Sequence, residues 1–381
     1  MKPAHRTPAA PESTPGPRKA RIGPTGIVGR MWDIVMRYHA SRTHAGAPGL
    51  PSPLKIRHVI TVAMTAAAML GATPSSPAQG AEGPEVFARG FGSKAAAMGN
   101  SFVSIADDAS AVFWNPAGTG WLSRKTLTVS LTDAYFSDVD YSSASYVHPV
   151  SSIGAFGFSI SRWSVDNIEK RDEQNMLIAD DLTDSQMELI ASFSTPPLRN
   201  VTAAVGLKVN SQALDDEEAL GMGVDLGLLY RCGAASGPGR PCLSTGLTVR
   251  NLVEPVLEMR SDRTTFPTRA TLSASYSGGH GRYLDNWTVA FDLNARQELP
   301  SYANFGLEAM IRPVSLRLGS EDGKLTAGFG TLWESLSFDY AYTDEDYGRL
   351  HTFSLTLSFG APSPGLASSD DDDTPPDLAS Q

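Results

Sequence analysis

The chain has 381 residues, 41% of them hydrophobic and 19% charged, with 35 Gly and 26 Pro, a balance that suits two or three ordinary domains or one large β domain with many turns. A net charge of −10 argues against nucleic acid as a partner, because neutralising phosphates takes a basic surface.

Residues 1–53 are rich in Pro, Arg and Ala and show no sustained apolar period, so they are expected to be a disordered or mis-started extension with no fold of their own. Residues 54–80 have the layout of a secretory signal peptide. Lys55-Ile56-Arg57-His58 precedes an apolar run of 12 residues, 59–70, and a small-residue stretch follows with Ala78 and Gly80 placed for cleavage after Gly80. The run is well short of the roughly 20 residues that span a bilayer as a helix. Signal peptides begin close to the initiator, which puts the expected start near Leu54.

Residues 81–124 are Gly- and Ala-rich and lack the alternation of everything after them. Asp107 or Asp108 is placed to cap a short helix over 109–114, which Asn115-Pro116 would stop, with Gly118 turning the chain toward the first strand. Ala95, Ala96, Ala97 and Gly99 would let this segment pack closely against other backbone. Gly90 to Ala95 match G-x-G-x-x-A, but no strand precedes them and no βαβ unit follows, so a dinucleotide site is not expected.

From 125 to 360 the sequence alternates apolar and polar residues with period 2, the mark of strands with two different faces. Leu220, Met222, Val224, Leu226, Leu228 and Tyr230 share one face; Gly221, Gly223, Asp225, Gly227 and Arg231 share the other. Similar rows lie at 127–131, 141–147, 156–160, 187–193, 201–209, 243–249, 270–276, 287–293, 305–311, 314–318, 325–329, 336–342 and 353–359, about fourteen in all. The polar faces carry charge at Glu188, Lys208, Asp225, Arg250, Asp292, Glu308, Arg317 and Asp339.

A soluble sandwich would alternate in the same way with its apolar face inward. After the signal peptide no run of 18 apolar residues occurs, so a membrane-spanning chain would have to be a closed barrel. The connections favour the barrel, with longer, acidic outward loops expected at 133–140, 165–183, 211–218, 252–265, 297–301, 320–324 and 344–348. Tighter turns are expected between them, at 149–152, 195–200 and 312–313, with 231–241 longer than that rule prefers.

The last row, Phe353 to Phe359, closes on an aromatic and resembles the C-terminal signal read by the barrel-assembly machinery. The chain then departs from that pattern by continuing through 361–381, where Asp370 to Asp373 form an acidic run expected to be a disordered, solvated tail.

A fourteen-stranded barrel lies between the size that side chains fill and the size that leaves a channel, so something must occupy its lumen. The candidate is 81–124. The stretch AAAMGNSFVSIADDASAVFWNPAG, from Ala95 to Gly118, closely resembles the N-terminal motif of the PorV/PorQ family, relatives of the FadL-type transporters of hydrophobic compounds. Gly246 to Leu252, with Asn251-Leu252 at its end, is similar to that family's recurring G-x-x-x-x-N-L. Leu316 to Gly319 and Phe338 to Tyr342 add weaker matches. Thr119 departs from the family, where an aliphatic residue usually follows NPAG.

The resemblance implies an outer-membrane barrel of a Gram-negative-type bacterium with an N-terminal hatch, in a group that passes hydrophobic molecules or serves protein secretion. Carried over, it places Asn115, Pro116 and Ala117 in the hatch, with Asp107, Asp108 and Trp114 beside them as plug or gating residues. Implied partners are outer-membrane lipid, a hydrophobic small molecule or a secreted protein, and the barrel-assembly machinery.

No catalytic residue, cofactor or metal is expected. His148, His280 and His351 are far apart in sequence and no Gly-x-Ser-x-Gly occurs. Cys232 and Cys242, the two cysteines of the chain, flank a Gly/Pro-rich turn and are expected to form a disulfide, stabilising by about 2–3 kcal/mol in the chain-entropy picture. The overall expectation is a conduit for hydrophobic or amphipathic small molecules, or alternatively a non-enzymatic scaffold or receptor of a secretion system.

Overall fold

The computed structural model describes residues 90–362 apart from 135–138, 151–152, 173, 216, 233–240, 260–261, 280–283, 298 and 346–347. The expected extension 1–53, signal peptide 54–80 and acidic run of the tail lie outside the described residues, as do 81–89 of the expected plug.

Fourteen strands close one antiparallel barrel. In chain order they are β1 (Lys125–Ala134), β2 (Val139–Val150), β3 (Gly154–Arg171), β4 (Leu177–Ser194), β5 (Val201–Leu214), β6 (Glu217–Arg231) and β7 (Cys242–Val253). After a separate hairpin of β8 (Val256–Met259) and β9 (Asp262–Thr265) come β10 (Arg269–Gly278), β11 (Asn286–Arg296), β12 (Leu299–Ile311), β13 (Val314–Glu321), β14 (Lys324–Trp333), β15 (Leu336–Glu345) and β16 (Gly348–Phe359). Each barrel strand pairs with its neighbour, β7 pairs with β10, and β16 returns to β1 in register from Lys125↔Phe359 to Ala134↔Leu350. All fourteen alternating rows fall within these strands. The end where β1 begins and β16 finishes is here called proximal, the opposite end distal.

The period-2 pattern resolves into an apolar outside and a polar inside. On β6, Leu220, Met222, Leu226 and Leu228 point outward and are 41–66% exposed, whereas Gly221, Gly223, Asp225 and Gly227 are buried in the lumen. A sandwich would show the reverse. An apolar exterior on a wall with no free edge is what hydrocarbon demands, since every backbone donor and acceptor must be satisfied within the protein. No helix among the described residues is long and apolar enough to cross a membrane. At the β1–β16 seam, lumen-facing hydroxyls pair directly across the strands: Thr128 with Thr356 at 3.0 Å, Ser130 with Ser354 at 2.7 Å and Thr132 with Thr352 at 3.0 Å.

The distal connections differ from expectation. Most of 165–183 is strand, with β3 running to Arg171 and β4 resuming at Leu177 through an irregular register beyond Val165. Likewise β5 and β6 stay paired to Leu214↔Glu217, leaving a tight turn where 211–218 was expected as loop. Beyond Val165 the period-2 alternation is lost although the strands still pair, so the ladder continues after the pattern that revealed it has stopped. At the proximal end Cys232 and Cys242 are joined as a disulfide, with Cα atoms 5.5 Å apart.

The outward face makes a direct prediction. Leu226→Arg, at an exposed mid-strand position, lowers the unfolding free energy by about 2–4 kcal/mol in bilayers, whereas Leu226→Val is close to neutral. Denaturant titration of the heat-modifiable band checks both.

Candidate functional site: the lumen and the segment within it

The segment 90–122 lies inside the wall. It contains α1 (Ser93–Ala97), α2 (Ala111–Trp114) and a 3₁₀ helix (Pro116–Trp121). Helix α2 is shorter than expected and Ser110 stands at its N-cap; Asp108 acts one step earlier, accepting the Ser110 N–H at 2.8 Å and its hydroxyl at 2.5 Å. Asn115 leaves the helix in an extended conformation, and Pro116 opens the 3₁₀ turn in the position where its missing N–H costs nothing. Gly118 lies inside that turn and is not the exit bend; a methyl there would meet the Ala106 carbonyl at 2.4 Å.

Polar groups fasten the segment to strands around the whole wall. Asp292, on β11, accepts the Phe102 and Val103 N–H groups, each at 3.2 Å, the Ser101 hydroxyl at 3.0 Å and the Ser273 hydroxyl. The Ser354 hydroxyl accepts the Ser93 N–H at 2.8 Å, and Asn100 donates to Glu321 at 2.6 Å. Asn115 is fully buried: its amide donates to Val103 O at 2.9 Å and to Leu228 O of β6 at 3.3 Å, and its oxygen accepts the Ala117 N–H at 3.1 Å. Thr202 donates to Ala117 O at 2.8 Å, and Thr119, the departure from the family motif, donates to Pro116 O at 2.7 Å and pairs with the Ser194 hydroxyl at 2.8 Å. Trp114 donates its indole N–H to Phe91 O at 2.8 Å. The Trp-Asn-Pro-Ala stretch thus reaches the wall through two bonds, Asn115 to Leu228 O and Thr202 to Ala117 O, and is tied to the rest of the segment by the others.

Contact this close needs a wall without side chains. At Gly227 a methyl would lie 2.4 Å from the Asn115 oxygen, and at Gly319 it would lie 2.2 Å from the Gly99 nitrogen. These glycines were visible as Gly on the polar face of alternating rows, but nothing in the rows says what they face. In the sequence Asp292 is one polar-face charge among several.

The remaining wall charges cluster. Lys208 reaches Asp225 at 2.8 Å and Glu188 at 3.4 Å, and Arg250 joins Glu188 at 3.3 Å. Arg250 also lies 3.7 Å from the centre of the Phe113 ring, coupling the cluster to the segment. Arg317 binds Glu308 at 2.6 Å and Asp339 at 2.7 Å. Within the segment, Lys94 donates to both Asp107 oxygens, at 2.9 and 2.7 Å.

Burial alone would lower the Lys94 pKa, but the Asp107 carboxylate raises it above its ordinary value; burial would raise Asp107, and the Lys94 ammonium holds it below the usual range. Asp107 keeps 40% of its side chain accessible to solvent, so the pair is partly screened. Asp108 is pushed up to about 6 by burial and then by the charge of Asp107, with the Ser110 bonds pulling the other way.

Among this polar surface stands one apolar core. Phe91, Phe102, Val112, Phe113 and Trp114 of the segment pack with Val147, Ala155 and Ile190 of the wall. Phe91 and Phe113 meet edge to face at 4.8 Å, and Phe113 and Trp114 at 5.4 Å. From the distal side the same core receives Leu257 and Phe266. They arrive because β7 bulges near Asn251 (φ +55), whose N–H is held by Asp225 at 2.7 Å, and the following chain turns inward until Pro255 and Val256 rest on the bare lumenal face at Gly221 and Gly223. This is the Asn-Leu of the 246–252 motif.

Beside the segment a cavity of about 20 Å³ remains, lined by Asn100, Trp114, Arg250 and Asp292 among others, room for one water. On the outer face, a groove of about 530 Å³ is lined by Leu127, Tyr146, Phe158, Ile160, Leu189 and Leu207, while the Ile190 side chain faces the lumenal core. His148 and His351 lie apart on the wall, bonded to Tyr146 and Tyr340; His280 is outside the described residues.

No protein-family profile matches the chain, and no curated protein matches it. Among solved structures it is similar to the toluene transporter TbuX of Ralstonia pickettii, at 14% identity over 71% of this chain and 99% of that one, with a TM-score of 0.46. It is also similar to the toluene transporter TodX of Pseudomonas putida, at 12% identity over 71% and 97%, with a TM-score of 0.43. A FadL homologue of Pseudomonas aeruginosa matches at 12% identity over 70% and 97%, with a TM-score of 0.42. The likeness is one of architecture.

Two outcomes follow from the anchoring and the charges. Asp292→Ala strands four donors, each worth about 1–3 kcal/mol when buried and unpaired, and releases the segment. Limited proteolysis then cuts within 90–122 while the barrel keeps its heat-modifiable shift. For Asp108, a pKa raised from 3.8 to about 6 means that the folded state holds a proton the unfolded chain has lost, so this group makes stability fall as pH rises through that window. In Asp108→Asn the unfolding free energy depends less steeply on pH over the same window.

Proposed function

We propose that this chain is an outer-membrane barrel of the PorV/FadL-like kind that passes hydrophobic or amphipathic small molecules, with 90–122 as its hatch. The observation that carries this reading is the apolar core in an otherwise polar, charge-bearing lumen. A barrel that only anchors itself has no need of aromatic side chains at its centre, whereas a hydrophobic solute needs surface that does not force it to contact ions. The similar structures named above are described as toluene transporters and a FadL homologue, which accords with this solute class.

In this reading Trp114 is part of the buried apolar core, and Asn115, Pro116 and Ala117 are the fixed root of the hatch, given the bonds that hold them. Movement belongs to the part nearer Gly90, with the Lys94–Asp107 pair and the Ser93–Ser354 bond as its latches. No step in this role is enzymatic.

The secretion-scaffold reading is favoured by one feature, the β3–β4 hairpin, which extends past its β2 and β5 partners and exposes Met176, Leu177 and Ile178 near its tip.

Cells whose outer membrane excludes N-phenylnaphthylamine are expected to take up this probe several-fold faster when the barrel is expressed, and Ile190→Asn to remove most of the gain at equal barrel levels. No gain with the wild-type chain, together with copurification of secreted proteins that trimming 172–178 abolishes, would replace the conduit by the scaffold.

A further inference from the structure

The outward face of the wall changes character along its height. Toward the distal end the outward residues of β2 run from Tyr146 and Ala144 to Ser142 and Asp140. Those of β3 run from Phe158 and Ile160 to Arg162 and Ser164, and those of β4 from Ala191 and Leu189 to Met187 and Ser185. Arg162 stands opposite Ser142 on one side and Met187 on the other, so apolar gives way to polar at one register level on three adjacent strands. In an outer-membrane barrel that level is where hydrocarbon gives way to lipid headgroups.

On the proximal side of this level lies the outer groove of about 530 Å³. The recess follows from the strand pairing, which sets Ala144 between Val129 and Ile160, and Ala191 between Phe158 and Leu207. Arg162 is two residues beyond Ile160 on the same face, about 7 Å along the strand, and puts a cation at the distal end of an apolar groove. It is exposed, its Nε donates to the Ser185 hydroxyl at 3.3 Å, and it pairs with no carboxylate among the described residues. The bond steadies the guanidinium and leaves its terminal N–H groups for another acceptor. Further out on β3 the cations are already taken, Lys170 by Asp215 and Arg171 by Glu169.

An arginine on the lipid-facing side is tolerated near the interface, where an anionic group lies at its own depth. Guanidinium matches phosphate in shape as well as charge, through paired N–H···O bonds. A free phosphate has no use for the groove, whereas a lipid has a chain to place there.

We propose that Arg162 and the groove across β1 to β5 form a binding site for a phosphate-bearing lipid of the distal leaflet. Its phosphate sits on the Arg162 guanidinium and an acyl chain lies in the groove over Ala144 and Ala191. The site rests on the embedding of the barrel in the outer membrane and is independent of what the lumen passes.

Native mass spectrometry of the full-length chain in mild detergent tests this, with diphosphoryl lipid A as the probe. Phosphatidylcholine, whose phosphate is masked by its choline, and inorganic phosphate are the comparison ligands. The expected result is a lipid A adduct well above any phosphatidylcholine adduct and unmoved by excess inorganic phosphate. It is several-fold weaker in Arg162→Gln, and in Ala191→Phe, which fills the groove. It is unchanged in Arg349→Gln, an exposed arginine at the distal end of β16. Positions 162, 191 and 349 are all exposed, and the heat-modifiable shift verifies that each variant is folded. No adduct with the wild-type chain, an equal adduct with phosphatidylcholine, an adduct undiminished in Arg162→Gln or Ala191→Phe, an equal loss in Arg349→Gln, or displacement by inorganic phosphate would overturn the proposal.

Discussion

Asp292 is a carboxylate buried in the lumen, and four neutral donors gather on it: two backbone N–H groups and a hydroxyl from the segment, and a hydroxyl from β10. The geometry solves two problems together. The carboxylate is solvated by protein where water is scarce, and the segment finds acceptors for amides that no helix or strand supplies. Around it, Asn115 on one side and Ser93 and Asn100 on the other tie the same segment to opposite parts of the wall. The barrel sets the size of the lumen, and these bonds determine where the segment sits within it.

The wall answers to a different constraint. In hydrocarbon, backbone groups must be paired within the protein, which closes the sheet, and the face that meets lipid must be apolar, which turns the pattern inside out relative to a soluble sandwich. The lumen then inherits the polar face. Its charges are tolerated because they pair, as Lys208 does with Asp225 and Glu188 and Arg317 does with Glu308 and Asp339. Against that background the cluster of Phe91, Phe113, Trp114, Ile190, Leu257 and Phe266 is the feature that asks for a function.

Much of this architecture was legible in the residues. Rows such as 220–230 mark both faces of a strand, and all fourteen rows became barrel strands because period 2 is a local property of the pleat. Strand length was less legible: at 165–183 apolar and polar residues no longer alternate while the ladder continues, so pairing outlasts its signal. The inward turn after Asn251 was also hidden, since it depends on a bulge and on the bare surface at Gly221 and Gly223 opposite. The grip on the segment could not be read at all, because Asp292 and Phe102 are 190 positions apart and no local pattern joins them. Thr119 shows the same limit. As a departure from a motif it was unexplained, and beside Ser194 it becomes one more hydroxyl contact.

Residues 101–117, the anchored part of the segment, are held inside the barrel as firmly as the wall itself. Amide hydrogen exchange on the reconstituted wild-type chain tests this most directly. The account predicts that the Phe102, Val103 and Ala117 amides exchange as slowly as those in the middle of β6 and β11; complete exchange of these amides within seconds, with the strands still protected, would contradict it.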